Sequence, residues 1–277
     1  MPPSSSPSSR FFLLLAVYEI AGLVVLATAY RLAPAVAVVP AVTSVAGTQV
    51  ASAVVTALVI AGLFFLVLRR LSVRLFWAPM FDLALFFGCW SLGLNFFPWW
   101  GALGIAIVTI ALPRYAPRVS WHNLKVVLGT AGTAVYFSLA LAPAGLIAFL
   151  GAMSIYDLFA VRRQGPLTVL LKDLLHEQVI PGLIIPPSFK GFGARLEEVL
   201  RLPGTVLGYG DLVLPLALVS RVAFVDPLRA LAVLLGAMAG LAFLGLRARG
   251  RPQPALPALT LGAGLPFCVF WLQGYVL

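Results

Sequence analysis

The sequence carries little charge. Only 10% of its 277 residues are Asp, Glu, Lys or Arg, and nine of them are acidic. A soluble domain is about 25% charged, so a water-soluble enzyme and a disordered chain are both excluded. Cysteine and histidine are scarcer still, at two each. Cys89 and Cys268 both sit in apolar runs, which implies neither a disulfide framework nor a metal cluster. His176-Glu177-Gln178-Val179-Ile180 lacks the second histidine of a zinc-protease HExxH motif, and His122 reads as interfacial. No Gly-x-Ser-Gly suggests a serine nucleophile. Gly208-x-Gly210 has Val213 where a dinucleotide loop needs a third glycine. No internal repeat supports an inverted-repeat transporter.

Apolar sequence is abundant. Hydrophobic residues make up 61% of the chain, and mean hydropathy is +1.03. One aqueous core cannot hide that much apolar surface, so a bilayer must be the solvent. The runs are continuous rather than alternating, which excludes a β-barrel. Runs of about 17–25 residues suit a hydrocarbon core. Nine are present, roughly 11–30, 50–68, 79–97, 98–113, 124–142, 143–161, 206–224, 228–246 and 254–273. The third and fourth meet at the aromatic cluster Asn95-Phe96-Phe97-Pro98-Trp99-Trp100, which fits an interfacial turn. The first run has a signal-peptide-like Ala27-Thr28-Ala29, but its length and Glu19 favour a retained helix.

The expected class is therefore an all-α polytopic membrane protein. The net charge of +10 reports topology rather than nucleic-acid binding. With the N-terminus in the cytoplasm, only Arg31, Arg221 and Arg229 of the 19 basic residues fall outside. That asymmetry supports nine spans, a cytoplasmic N-terminus and an external C-terminus. The chain divides into a six-helix part (1–161), a cytoplasmic loop (162–205) and a three-helix part (206–277). Within the loop, Leu167, Leu170, Leu171, Leu174, Leu175 and Val179 recur at helical spacing and predict an amphipathic helix. Pro181, Gly182, Pro186, Pro187, Gly191 and Gly193 follow, and predict a mobile stretch.

The acidic residues can be placed one by one. Asp173, Glu177, Glu197 and Glu198 are in the loop, Asp226 is in an outside turn, and Asp82 is near enough to water to be solvated. Glu19, Asp157 and Asp211 lie within spans, where each costs about 2.5–3.5 kcal/mol at the helix centre. Glu19 receives no role. Asp157 is about five residues from the cytoplasmic end of span six, and Asp211 about five residues into span seven. Both are then ~7–8 Å below one surface. Two carboxylates at one depth cannot both ionise cheaply and share a proton. One then activates water while the other polarises a carbonyl. Paired intramembrane acids also mark proton relays, so a proton- or ion-coupled transporter is the competing reading.

The surroundings favour hydrolysis. Gly204, Gly208 and Asp211 fall on one helical face, and these glycines permit close backbone approach. Gly210 adds local freedom. Pro254-Ala255-Leu256-Pro257 cannot begin a regular helix throughout, which leaves irregular backbone at membrane depth.

Ile155-Tyr156-Asp157, Gly208-Tyr209-Gly210-Asp211 and Pro254-Ala255-Leu256 resemble the YD, GxGD and PAL motifs of the presenilin and signal peptide peptidase family of intramembrane aspartyl proteases. Their order, their places on spans six, seven and nine, and the intervening loop all agree. Gly165-Pro166-Leu167 and Pro257 add presenilin-like detail, and the short chain resembles prokaryotic, especially archaeal, members. Pro257-Ala258-Leu259 offers a second PAL register; Gln253 before the first and Pro257 after it favour the first. The motif-bearing part covers roughly 150–262.

The resemblance implies a catalytic Asp157–Asp211 pair, with Tyr156, Gly208, Gly210, Pro254, Ala255 and Leu256 shaping the site and no cofactor or metal. The implied substrates are transmembrane helices or remnant signal peptides of other proteins. The implied setting is the cell membrane, with the lipid bilayer as partner and no nucleic acid.

Overall fold

The computed structural model describes residues 7–37, 77–162, 180–200, 205–247 and 253–276. The run 50–68, the amphipathic helix expected over 167–179 and Gly204 lie outside the described residues. Where the chain is described, the apolar runs are helices, the one open-ended structure that satisfies its own backbone groups in lipid. They are α1 (Pro7–Ala37), α2 (Ala78–Leu94), α3 (Trp99–Tyr115), α4 (Val119–Ala140) and α5 (Pro143–Arg162). After the loop come α7 (Tyr209–Ala223), α8 (Pro227–Arg247) and α9 (Leu256–Leu272). Arg10–Val36 and Pro227–Leu246 are long and apolar enough to cross a membrane, and Ala78–Leu94, Pro143–Phe159 and Leu256–Leu272 are shorter apolar helices. The α2–α3 turn falls where the aromatic cluster predicts it, with Phe96, Phe97, Trp99 and Trp100 exposed.

The loop departs from expectation. The stretch from Pro181 contains regular structure: strand β1 (Gly182–Ile185), a 3-10 turn (Phe189–Gly193) and short helix α6 (Leu196–Leu200). Span seven does not begin as helix either, because Thr205–Gly208 form a second strand, β2, antiparallel to β1. Register runs from Gly182 opposite Gly208 to Ile185 opposite Thr205. Two polar side chains of α4 organise this sheet. Asn123 Nδ2 donates to the Ile184 carbonyl at 2.7 Å, and Asn123 Oδ1 accepts from the Ile184 amide at 2.9 Å. His122 Nε2 donates to the Gly182 carbonyl at 2.9 Å. His122 is buried; its bond to a strand carbonyl satisfies it.

Helix α7 is the centre of the molecule. Leu212 to Ser220 are all buried, because α1, α4, α8 and α9 pack around it, with α5 against one side. Among the described residues, the α8–α9 contact is the most extensive between elements. Glycines create it: a Cβ on Gly236 would strike the Gly262 carbonyl, and one on Gly240 the Ala258 carbonyl. Gly88 meets Gly129 and Gly132 in the same way between α2 and α4.

Charges collect at the two ends. Asp82 is not simply solvated: it pairs with Arg114 at 2.7 Å and with Lys125 at 2.9 Å, tying α2, α3 and α4 together. Lys125 is nearly buried and requires that counter-ion. At the other end, Arg31 donates to the Asn95 carbonyl at 2.7 Å and Arg221 to the Ser138 carbonyl at 3.0 Å, while Arg229 pairs with Asp226. Glu19 is exposed on α1. Cys89 and Cys268 are free thiols.

Candidate active site

Three elements deliver the three motifs to one place. Asp157 lies on α5 close to its end at Arg162. Asp211 lies in the first turn of α7. Leu256 is the first residue of α9. Strand β2 ends at Gly208, which is also the N-cap of α7, so the chain changes from strand to helix within the Gly208-Tyr209-Gly210-Asp211 sequence. The Asp211 carboxylate folds back to accept the Gly208 amide. This satisfies one of the orphan donors at a helix start and places an anion at its positive end.

Gly208 does not share a helical face with Asp211, contrary to the sequence reading, since it belongs to the strand. Its lack of a side chain has a different use. A Cβ there would come within 2.9 Å of Asp211 Oδ2. At Gly210, which is exposed, a Cβ would meet nothing within 4 Å, so the structure shows no spatial demand for glycine there.

Asp157 is held by α9. The Leu256 amide donates to Asp157 Oδ2 at 3.2 Å. Pro254 and Ala255 precede the helix, as the prolines predict, and Ala255 and Leu256 are buried. One turn further along both helices, the hydroxyls of Ser154 and Thr260 share a hydrogen bond of 2.6 Å. Asp157 and Asp211 are both half-buried and close enough for the charge of one to act on the other. Tyr156, beside Asp157, is half-buried.

Tyr209 turns away towards α4. Its hydroxyl bonds Thr133 Oγ1 at 2.7 Å and the Gly129 carbonyl at 3.3 Å, and its ring stands edge-on to Phe81. Among the described residues no group of three His, Cys, Asp or Glu side chains gathers to hold a metal. The arrangement offers two interacting carboxylates and a backbone donor to each, with no third acid beside them among the described residues.

The signal-peptide peptidase and presenilin aspartyl protease family model matches residues 92–275, which include both acids and Leu256. The chain belongs to this family. It is an intramembrane aspartyl endopeptidase, a multi-pass membrane protein whose family acts on transmembrane substrates. Membership favours the protease over the competing transporter. Two solved structures described as presenilin family intramembrane aspartate proteases resemble it. One, in space group C222, is 24% identical over 93% of this chain and 94% of that one, with a TM-score of 0.57. The other, in space group P2, is 26% identical over 91% and 96%, with a TM-score of 0.52. No curated protein matches.

Sequence reasoning gave no partner to Ser154, Thr260, His122, Asn123 or Thr133. Ser154 and Thr260 were the most accessible of these. Each is a small polar residue in an apolar run, one turn from a motif, and such residues need a partner in lipid.

Proposed function

We propose that Asp157 and Asp211 are the catalytic pair of this protease. The supporting observation is their approach where α5, α7 and the start of α9 meet. In this reading the ionised carboxylate removes a proton from water as it attacks a peptide carbonyl. The protonated carboxylate donates to the carbonyl oxygen, and a proton then passes to the departing amine. Tyr156, Gly208, Gly210, Pro254, Ala255 and Leu256 shape the surroundings. Residues 1–161 bring Asp157, 206–277 bring Asp211 and the Pro254-Ala255-Leu256 sequence, and 162–205 bridge them.

The substrates in this reading are transmembrane helices or remnant signal peptides of other proteins. A helical peptide bond is shielded by its own hydrogen bonds, so cleavage needs an unwound segment with new backbone partners. One edge of β1 is taken by β2 and the other by the Asn123 side chain. Among the described residues the far edge of β2, with Thr205 and Val206 exposed, pairs with nothing. That edge suits an added substrate strand leading into Gly208 and Asp211. The basic residues favour a cytoplasmic N-terminus, which puts both acids near the cytoplasmic face of the cell membrane.

The test is cleavage of a single-span substrate by the purified protein in detergent, beside Asp211→Asn, with and without a hydroxyethylene transition-state mimic. Cleavage that requires Asp211 and is blocked by the mimic is expected. Cleavage that survives in a folded Asp211→Asn protein overturns the pair.

A further inference from the structure

Tyr18 is among the largest fully buried side chains described, and its hydroxyl has no hydrogen-bond partner among the described residues. A buried orphan hydroxyl costs about 1–3 kcal/mol, so it calls for an explanation. Its position supplies one. Helices α1 and α8 run antiparallel: Gly22 faces Leu234, and eleven residues on in each helix Phe11 faces Gly245. Tyr18 is therefore level with Met238. Along α8 and α9, Gly236 faces Gly262 and Gly240 faces Ala258, so Met238 is level with Thr260. Thr260 in turn bonds Ser154, one turn from Asp157. Tyr18 thus lies about one turn from the level of the two acids, on a helix packed against α7. Helical side chains lean towards their own N-terminus. The N-terminal end of α1 is the Phe11–Gly245 end, the end of the bundle that holds the acids, so the lean carries the hydroxyl towards them.

Among the described residues, the charges around it leave one partner. The Asp211 charge acts on Tyr18, and the Asp157 charge acts on Asp211. Other groups on the packed helices are engaged or distant. On α4, His122 bonds Gly182 and Lys125 pairs with Asp82. Arg221 of α7 and Arg229 of α8 belong to the far end. On α1 itself Glu19 is exposed.

We propose that Tyr18 is a positioning residue for the acid pair: its hydroxyl, unbonded in this structure, turns to donate to Asp211 in the working site, which favours the ionised form of Asp211 and leaves the shared proton on Asp157. It rests on the reading of these two acids as the catalytic pair. Gly208 and Leu256 already supply one backbone donor each; a third donor on the Asp211 side breaks the balance and fixes which acid is the base.

The test is Tyr18→Phe in the full protein, compared with wild type and Asp211→Asn by rate against pH, kcat and KM, and thermal unfolding in detergent. The expected result is about tenfold lower kcat, unchanged KM, and an acid limb moved to higher pH because the base has lost a donor. The unfolding temperature should hold, since the deleted hydroxyl bonds nothing in the structure without substrate. Wild-type kinetics overturn the inference. So does a lowered unfolding temperature with an unmoved pH profile, or a variant that fails to fold, because either means that the hydroxyl has a structural partner. Cleavage by Asp211→Asn overturns the catalytic pair instead, so the two failures are distinguishable.

Discussion

Asp157 accepts a hydrogen bond from the Leu256 amide at 3.2 Å, across a sequence separation of 99 residues. The amide is the first of α9 and has no intrahelical acceptor, so the acid and the helix start satisfy each other. Asn at 157 keeps an oxygen for that amide, whereas Leu does not. Asp157→Asn should be inactive and fold normally, while Asp157→Leu should be inactive and less stable by about 1 kcal/mol. Cleavage assays with thermal unfolding of both variants check this.

Gly208 and Gly210 are expected to separate by function. Gly208→Ala puts a methyl within 2.9 Å of Asp211 Oδ2. The movable end of a side chain can yield, so the fold should survive and the carboxylate should shift. About 10²-fold lower kcat is expected, as for a misplaced catalytic group. Gly210→Ala meets open space and should retain activity within a few-fold. Steady-state kinetics of the two decide the matter.

Asn123 holds both the amide and the carbonyl of Ile184. Asn123→Leu leaves both buried groups unpaired and should cost about 2 kcal/mol or more. Faster hydrogen exchange confined to residues 182–185 is the expected signature. Unchanged protection there would mean that β1 is held by other contacts.

Ser154 and Thr260 bond each other and tie α5 to α9. A double-mutant cycle with alanine at both should give a coupling of about 1 kcal/mol. Ser154→Ala should also loosen the geometry of Asp157 and lower kcat more than it raises KM.

The proposed pair works with one proton between two carboxylates. Raising pH removes that proton and with it the acid that assists the carbonyl. Activity should therefore fall on the alkaline side, and a rate profile in detergent checks it. A rate climbing steadily into strong base contradicts the mechanism.

The helices and the two acids were legible because their signals are local. Apolar runs mark the spans, and a carboxylate in such a run is conspicuous by cost. The strand β2 was not legible, because Thr205-Val206-Leu207 continues the apolar run of α7, and periodicity cannot divide a short apolar segment between strand and helix. The order in 180–185 was hidden for another reason. It depends on His122 and Asn123, some sixty residues earlier. Pro181 and Gly182 predict a mobile stretch only when those partners are ignored. Asp82 was misread likewise, since Arg114 and Lys125 reach it from other helices.

The glycine seam between α8 and α9 has a mechanical consequence. With backbone against backbone at Gly236, Gly240 and Gly262, α9 cannot slide a turn along α8 without collision. Among the described residues, helix α7 is gripped on several sides, whereas α5 is packed chiefly on α9 and only lightly on α7. The proposed site is therefore expected to work like a vise with one fixed jaw, carrying Asp211 and Leu256, and one adjustable jaw, carrying Asp157. Any widening that admits a polypeptide falls to the adjustable jaw, and the Leu256–Asp157 and Ser154–Thr260 hydrogen bonds are the catches that return it to register.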